Sequence, residues 1–393
     1  MATGTSSVER LLQYIRIPTI SGDGPKGAYN EATWQGKNLS LPSILLNSHY
    51  DVVPVAREHW EHDPFNPTVL EDGMIYGRGT QDMKSVGVQY VEAVSRLKAE
   101  GFIPGRNIHL LFVPDEEIGG VDGMEAFLAS EQYKSIQPVA FAFDEGLANP
   151  NDAFTVFYGE RVPWWFYVKA TGPTGHGSRF IKDTATSKII DVCNKALAFR
   201  AEQEALLNAD CGCKHGDIKK RNLGDVTTVN LNMLKSGVSQ DGGKTHALNV
   251  IPTEAVAGFD VRISPHMDLK KFKAMLDEWC SAGGLSWEFV SWWKNPLHEH
   301  YTTSVDDTNI WWKLFKEGCE DIGILVETEV FPAATDSRFL RQLGIPALGF
   351  SPMNKTEILL HEHNERLHKD TFLCGIDVYE TLFRRMFTYV EAD

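Results

Sequence analysis

Three apolar runs of strand length, each ending in imidazole or carboxylate side chains, constrain this chain more than any other feature. Residues 43–46 lead into His49 and Asp51, residues 107–113 into Asp115, Glu116 and Glu117, and residues 139–143 into Asp144 and Glu145. The runs are nearly continuous rather than alternating, as strands covered on both faces are. Between the first two, residues 83–99 repeat apolar side chains at Val86, Tyr90, Val94 and Leu97 before Gly101, the spacing of a helix and its stop. Strand, helix, strand predicts an α/β fold with a mostly parallel sheet flanked by helices. Ligands of such sheets bind outside the carboxyl ends of the strands, where these polar residues fall.

From about residue 164 the texture changes. Residues 165–170, 227–231, 255–262 and 285–290 read as strands of a second sheet, with helices over 184–208 and 269–281. This predicts an inserted α+β domain spanning 164–293. The α/β texture then returns as a helix over 308–321, a strand over 345–350 and a helix over 370–388. The first domain is therefore expected to be discontinuous, built from 1–163 and 294–393, and 393 residues suit two domains.

A net charge of -15 argues against nucleic acid and anionic membrane surfaces as partners. No run approaches the ~18 apolar residues of a membrane-crossing helix. Residues 1–16 carry Glu9 instead of a basic and then apolar leader, so the expectation is a soluble cytoplasmic protein. Six scattered cysteines suit a reducing compartment rather than a disulfide framework. Cys211 and Cys213 with His215 nearby form at most a weak metal motif, since no second cysteine pair follows.

His49 and Asp51 stand two residues apart and share a direction if the chain is extended, so one imidazole nitrogen can take a metal while Asp51 orients the other. Asp82 follows Gly77 and Gly79 and immediately precedes the helix, a position that also suits a helix cap. Three consecutive carboxylates at 115–117 repel one another unless a cation compensates them; a solvated acidic turn is the plainer alternative. Glu145 repeats the strand-end carboxylate, and His361 follows the apolar pair Leu359 and Leu360. Any one of these could be structural. Together they favour a metal centre, and the negative charges of Asp82, Glu117 and Glu145 balance two divalent zinc ions with a bridging hydroxide. Glu116 is then the carboxylate left over, placed to serve as a general base.

The segments Ser48-His49-Tyr50-Asp51-Val52-Val53-Pro54, Gly79-Thr80-Gln81-Asp82-Met83-Lys84, 114–120, 144–150, 174–180, Ala334-Thr335-Asp336-Ser337-Arg338 and Leu359-Leu360-His361 resemble, in order, the dizinc aminoacylase and carboxypeptidase family. The resemblance implies hydrolysis of N-acyl-L-amino acids to a carboxylate and a free L-amino acid. It implies that His49 and Glu145 bind one zinc, that Glu117 and His361 bind the other, and that Asp82 bridges them. In the same scheme Asp51 orients His49 and Glu116 is the base. The family's inserted domain forms a homodimer, and its histidine, matched by His176, reaches the partner's site to stabilise the oxyanion. Arg338 matches a clamp for the substrate α-carboxylate, for which its bidentate fork is suited, and Asn249 a polar contact in the lid. Arg262, on an apolar strand, reads as structural. A dipeptidase or carboxypeptidase of the same family, and a truncated non-catalytic homologue acting through dimerisation, are the competing readings.

Two departures from the family bear on these expectations. Tyr50 stands where a smaller residue is usual between the ligand histidine and its aspartate. The stretch between Arg16 and Ser43 is too short for the family's helix, turn and strand, so a helix and a strand are expected to be missing and apolar sheet surface to be left bare.

Overall fold

The structure, a computed structural model, describes residues 6–23, 29–209, 221–292 and 296–390. The cysteine pair at 211 and 213 with His215, and the insertion boundary expected near residue 293, lie outside the described residues. The chain forms two compact units, one of residues 1–159, 301–329 and 335–393, the other of 160–300 and 330–334.

Among the described residues the first unit holds a seven-stranded sheet. Its centre is parallel: Ile108–Val113 lies beside Ser43–His49, which lies beside Val139–Asp144, which lies beside Ala347–Phe350. Asn30–Trp34 adds an antiparallel edge to Ile108–Val113, while Phe154–Glu160 runs antiparallel to Ala347–Phe350, with Val326–Phe331 at the far edge. The α/β class read from the runs is thus borne out, with antiparallel strands at both margins. Lys84–Ala99 forms the crossover helix between Ser43–His49 and Ile108–Val113.

Both faces of this sheet are covered, which is why its central strands are nearly continuous apolar runs. One face packs on the helices Ser7–Ile15, Lys84–Ala99, Ile310–Asp321 and Lys369–Thr388 through residues such as Ile15, Tyr90, Phe315 and Phe383. The other buries Leu45, Leu111 and Val113 against Met124, Phe127, Tyr133 and Leu340. The expectation of a missing strand is corrected here: the short segment after Arg16 still supplies Asn30–Trp34, although no helix is found among its described residues. Nor is the sheet bare at this edge. His109, from the same face as Leu111, is buried with its Nδ1 against Glu31 and Thr33, and Gln132 in turn donates to Glu31.

The second unit is an antiparallel sheet in the order Leu285–Phe289, Val162–Thr171, Glu254–Ile263, Thr228–Ser236. Helices Ala185–Asn208 and Leu269–Trp279 pack on it through Ile189, Val192, Phe272 and Leu276. Arg262 pairs with Asp260 at 2.8 Å and lies over the Trp165 ring, the structural role its strand position suggests. Gly175–His176 pairs with Val250–Ile251 in a separate two-stranded ribbon.

Candidate metal centre

Parallel strands end on one edge of the sheet, and that edge gathers the candidate ligands. His49 is the last residue of its strand, Glu116 and Glu117 follow Val113, and Glu145 follows Asp144. Asp82 lies in the turn before the crossover helix, and His361 in the loop after Ala347–Phe350.

The side chains converge in two groups that share Asp82. His49 Nε2 lies 2.8 Å from Asp82 Oδ1 and 3.5 Å from Glu145 Oε2. His361 Nε2 lies 3.3 Å from Asp82 Oδ2 and 2.9 Å from Glu117 Oε2. Within each group one donor atom per residue falls within 4.8 Å of the others. The two oxygens of Asp82 thus face different partners, the disposition of a bridging carboxylate. One imidazole and one terminal carboxylate on each side is a nitrogen and oxygen donor set suited to zinc.

The electrostatics of these residues fit a cation. Burial, and then the Asp82 charge, raise the carboxyls of both Glu117 and Glu145 above the ordinary glutamate range. Glu117 Oε1 is buried without a hydrogen-bond partner among the described residues, although buried polar atoms are normally paired. His361 is pushed up to about 10 by its hydrogen bonds to Asp82 and Glu117, which override burial. For His49 burial acts downward, but Glu145 and the hydrogen bonds to Asp51, Asp82 and Glu145 hold it well above its usual value. A divalent cation would supply the positive charge that protonated imidazoles otherwise provide.

Asp51 does more than face a ring. Its Oδ1 is 3.4 Å from His49 Nδ1 and accepts the Glu116 N–H at 3.1 Å, while Oδ2 accepts the Glu117 N–H at 3.3 Å and the Ser21 hydroxyl at 2.8 Å. His49 Nδ1 also lies 3.0 Å from the Asp51 carbonyl oxygen. Glu116 is raised well above the ordinary glutamate range, chiefly by burial and then by the field of Glu145. Tyr50, between the two, is half-buried and its backbone N–H continues the ladder to Val113.

Arg338 is the second residue of the helix Ser337–Gln342 and donates to the carbonyls of Thr335 at 2.9 Å and Gly119 at 2.8 Å. The clamp candidate is therefore tied to the turn that carries Glu116 and Glu117. Each terminal guanidinium nitrogen has a second N–H to offer a ligand. Beneath, Asn47 and Ser337 donate to the buried Asp144 at 2.9 Å and 2.7 Å. Asp336, also buried, is pushed up to about 7 by burial and by Asp144.

His176 and Asn249 belong to the second unit, where the ribbon joins them: the Gly177 N–H donates to the Asn249 carbonyl at 2.8 Å. The His176 ring is exposed, and its Nδ1 accepts the Ser178 N–H at 3.2 Å. The neutral ring accordingly carries its proton on Nε2, the tautomer that can donate outward.

Sequence reasoning missed Ser21, Arg78, Asn47, Asp336 and Glu365. Glu365 stood two residues beyond His363 in a His-x-His-x-Glu run, but three of its partners are the backbone amides of Gly79, Gln81 and Asp82, which leave no mark in a sequence.

The chain matches Peptidase family M20/M25/M40 over residues 45–385. It is 51% identical over 352 residues to aminoacylase-1 of Mus musculus, covering 89% of this chain and 81% of that protein. With aminoacylase-1 of Dictyostelium discoideum it shares 48% over 349 residues, 88% and 82% of the two chains. Its fold resembles an M20 family metallo-carboxypeptidase from Sulfolobus solfataricus with a TM-score of 0.67 at 18% identity, over 97% of this chain and 99% of that one.

Proposed function

The chain belongs to peptidase family M20/M25/M40, and on that premise we propose that it hydrolyses N-acyl-L-amino acids to a carboxylate and a free L-amino acid with two zinc ions per subunit. It is a hydrolytic enzyme of amidohydrolase type, and its metal-binding candidates are those of a metal-dependent family. The observation that carries the reading is the pair of ligand groups sharing Asp82, set in a chain about half identical to aminoacylases over most of its length.

In this reading His49 and Glu145 hold one ion, Glu117 and His361 the other, and Asp82 bridges. Zinc held there would supply polarisation of the acyl carbonyl and a lowered pKa for water. Glu116 takes the proton of the attacking water and returns it to the leaving amine nitrogen, for which a carboxyl raised by burial is suited. Asp51 fixes both the His49 ring and the backbone of Glu116. Arg338 pairs with the substrate α-carboxylate through its remaining N–H groups, and Asn249 adds a polar contact. His176 donates Nε2–H to the tetrahedral oxyanion.

We assign the inserted unit, approximately residues 164–293, the role of dimer interface and lid, with His176 serving the partner subunit. Thr228–Ser236 is an edge strand exposing Leu234, and the helix packed on it exposes Ile190 and Leu197, which supports a homodimer. No helix among the described residues is long and apolar enough to cross a membrane. The described cysteines Cys193, Cys280, Cys319 and Cys374 are all free, which supports a cytoplasmic location.

Zinc per chain together with hydrolysis of N-acetylmethionine tests the proposal. We expect two ions, release of methionine, loss of turnover on chelation and recovery on adding zinc. Cleavage of dipeptides in its place would favour the dipeptidase reading. Inactivity of metal-loaded protein toward both substrate classes would favour the non-catalytic one.

A further inference from the structure

The turn that carries Asp82 and the loop that carries His361 come from distant parts of the chain, yet one carboxylate stitches them together. Glu365 is fully buried. Its Oε1 accepts the N–H groups of Gln81 at 2.6 Å and Asp82 at 3.2 Å and the Thr80 hydroxyl at 3.4 Å. Its Oε2 accepts the Gly79 N–H at 3.0 Å and Arg78 Nη1 at 2.9 Å. The same guanidinium donates Nη2 to the His361 carbonyl at 3.4 Å and stacks 5.2 Å over Trp60. Gln81 extends the seam: its Nε2 donates to the carbonyls of Glu357 and Arg366, and its Oε1 accepts the Leu359 N–H.

Backbone N–H groups that converge on one anion form a nest, and the nest fixes the path of the chain that supplies them. Here that path decides where Asp82 points. On the other side, His361 and Asn364 sit at φ +61 and +60, in the left-handed region that histidine and asparagine enter more readily than most non-glycine residues. The Arg78 donation to the His361 carbonyl ties this turn to the seam. In contrast, His49 and Glu145 are presented by Ser43–His49 and Val139–Asp144, strands fixed by the parallel ladder.

We propose that Glu365, with Arg78 as its charge partner, is a positioning residue chiefly for the His361–Glu117 metal position: it holds the turn that carries Asp82 and, through Arg78, the loop that presents the His361 ring. The inference rests on the two-ion reading. It requires that loss of the carboxylate weaken the His361–Glu117 position more than the His49–Glu145 position, because Asp82 serves both while the His361 loop serves one.

The test uses full-length protein with zinc and with cobalt(II) as probes. Glu365→Gln keeps the volume but turns an amide against the converging N–H donors and leaves Arg78 uncompensated. The double variant Glu365→Gln/Arg78→Met removes both buried charges and guards against misfolding from an unpaired guanidinium. Ions per chain are counted by elemental analysis across graded metal buffers, and cobalt(II) absorption follows the filling of the two positions. Both variants should hold one ion at close to wild-type affinity and bind the second roughly 10 to 100-fold more weakly, the usual effect of losing a partner that orients a metal ligand. Unchanged affinity for both ions, or equal weakening of both, would overturn the inference. So would failure of both variants to fold, since a selective role leaves the fold intact. Wild type holding fewer than two ions would instead overturn the two-ion reading, and the inference with it.

Discussion

Asp51 Oδ1 accepts the backbone N–H of Glu116 at 3.1 Å while lying 3.4 Å from the Nδ1 of His49. One carboxylate thus braces a candidate metal ligand and the backbone of the candidate base. Asp51→Ala should therefore weaken zinc binding at the His49 position by about 10 to 100-fold and also lower turnover at saturating zinc, because the Glu116 turn loses its anchor. Zinc-buffer titration and initial rates separate the two effects. Full turnover once zinc is restored would mean that Asp51 serves His49 alone.

Glu116 contributes to neither ligand group, so Glu116→Gln should retain wild-type zinc content and lose about 10² to 10⁴ in rate, since an amide cannot accept the proton of water. Elemental analysis and N-acetylmethionine turnover on the same preparation check this. Loss of zinc would make Glu116 a ligand, and full activity would move the base elsewhere, with Asp115 the next candidate.

The strands that build the site were legible because burial on both faces makes them continuous apolar runs: residues 43–46, 107–113 and 139–143 became Ser43–His49, Ile108–Val113 and Val139–Asp144. Asn30–Trp34 was not legible, since as an edge strand it buries only Trp34 and shows no alternation. Phe154–Glu160 escaped for another reason. Only Arg161 separates it from Val162–Thr171, so no turn residues mark its end. In the site, residue type at a strand end singled out His49, Glu117 and Glu145 as candidates, the glycine turn before the crossover helix marked Asp82, and the apolar pair Leu359 and Leu360 marked His361. The contacts of Asp51 with Glu116 and of Glu365 with Gly79, Gln81 and Asp82 are to backbone amides that every residue offers, so the sequence could not name them.

A chain carrying His176→Ala and a chain carrying Glu116→Gln should complement each other if His176 serves its partner's site. Each homodimer lacks one essential group at both sites, whereas a heterodimer has one site with both intact. Co-refolded or co-expressed chains should regain part of the wild-type rate. A mixture shown to contain heterodimers yet as inactive as its parents would confine His176 to its own subunit or remove it from the mechanism.

The edge strand that the short N-terminal segment does supply is held by Glu31, and this makes its contribution dependent on pH. Glu31 Oε1 accepts the Thr33 hydroxyl at 2.6 Å and lies 2.9 Å from His109 Nδ1, while Oε2 accepts Gln132 Nε2 at 3.0 Å. Burial acts upward on this carboxyl, but the hydrogen bonds from Thr33, His109 and Gln132 outweigh it and hold the group below its ordinary 4.5. A carboxyl with a lowered folded value contributes stability that is fully present above 4.5 and is lost as pH falls through the folded value. Glu31→Gln should then melt below wild type at neutral pH, modestly because the group is partly exposed, and the two curves should converge as pH drops below 4.5. Zinc per folded chain should stay unchanged at neutral pH, because none of these residues belongs to either ligand group. Melting curves that run parallel from pH 7 to pH 3 would show that the cluster holds the strand by packing and neutral hydrogen bonds, with no part played by the charge.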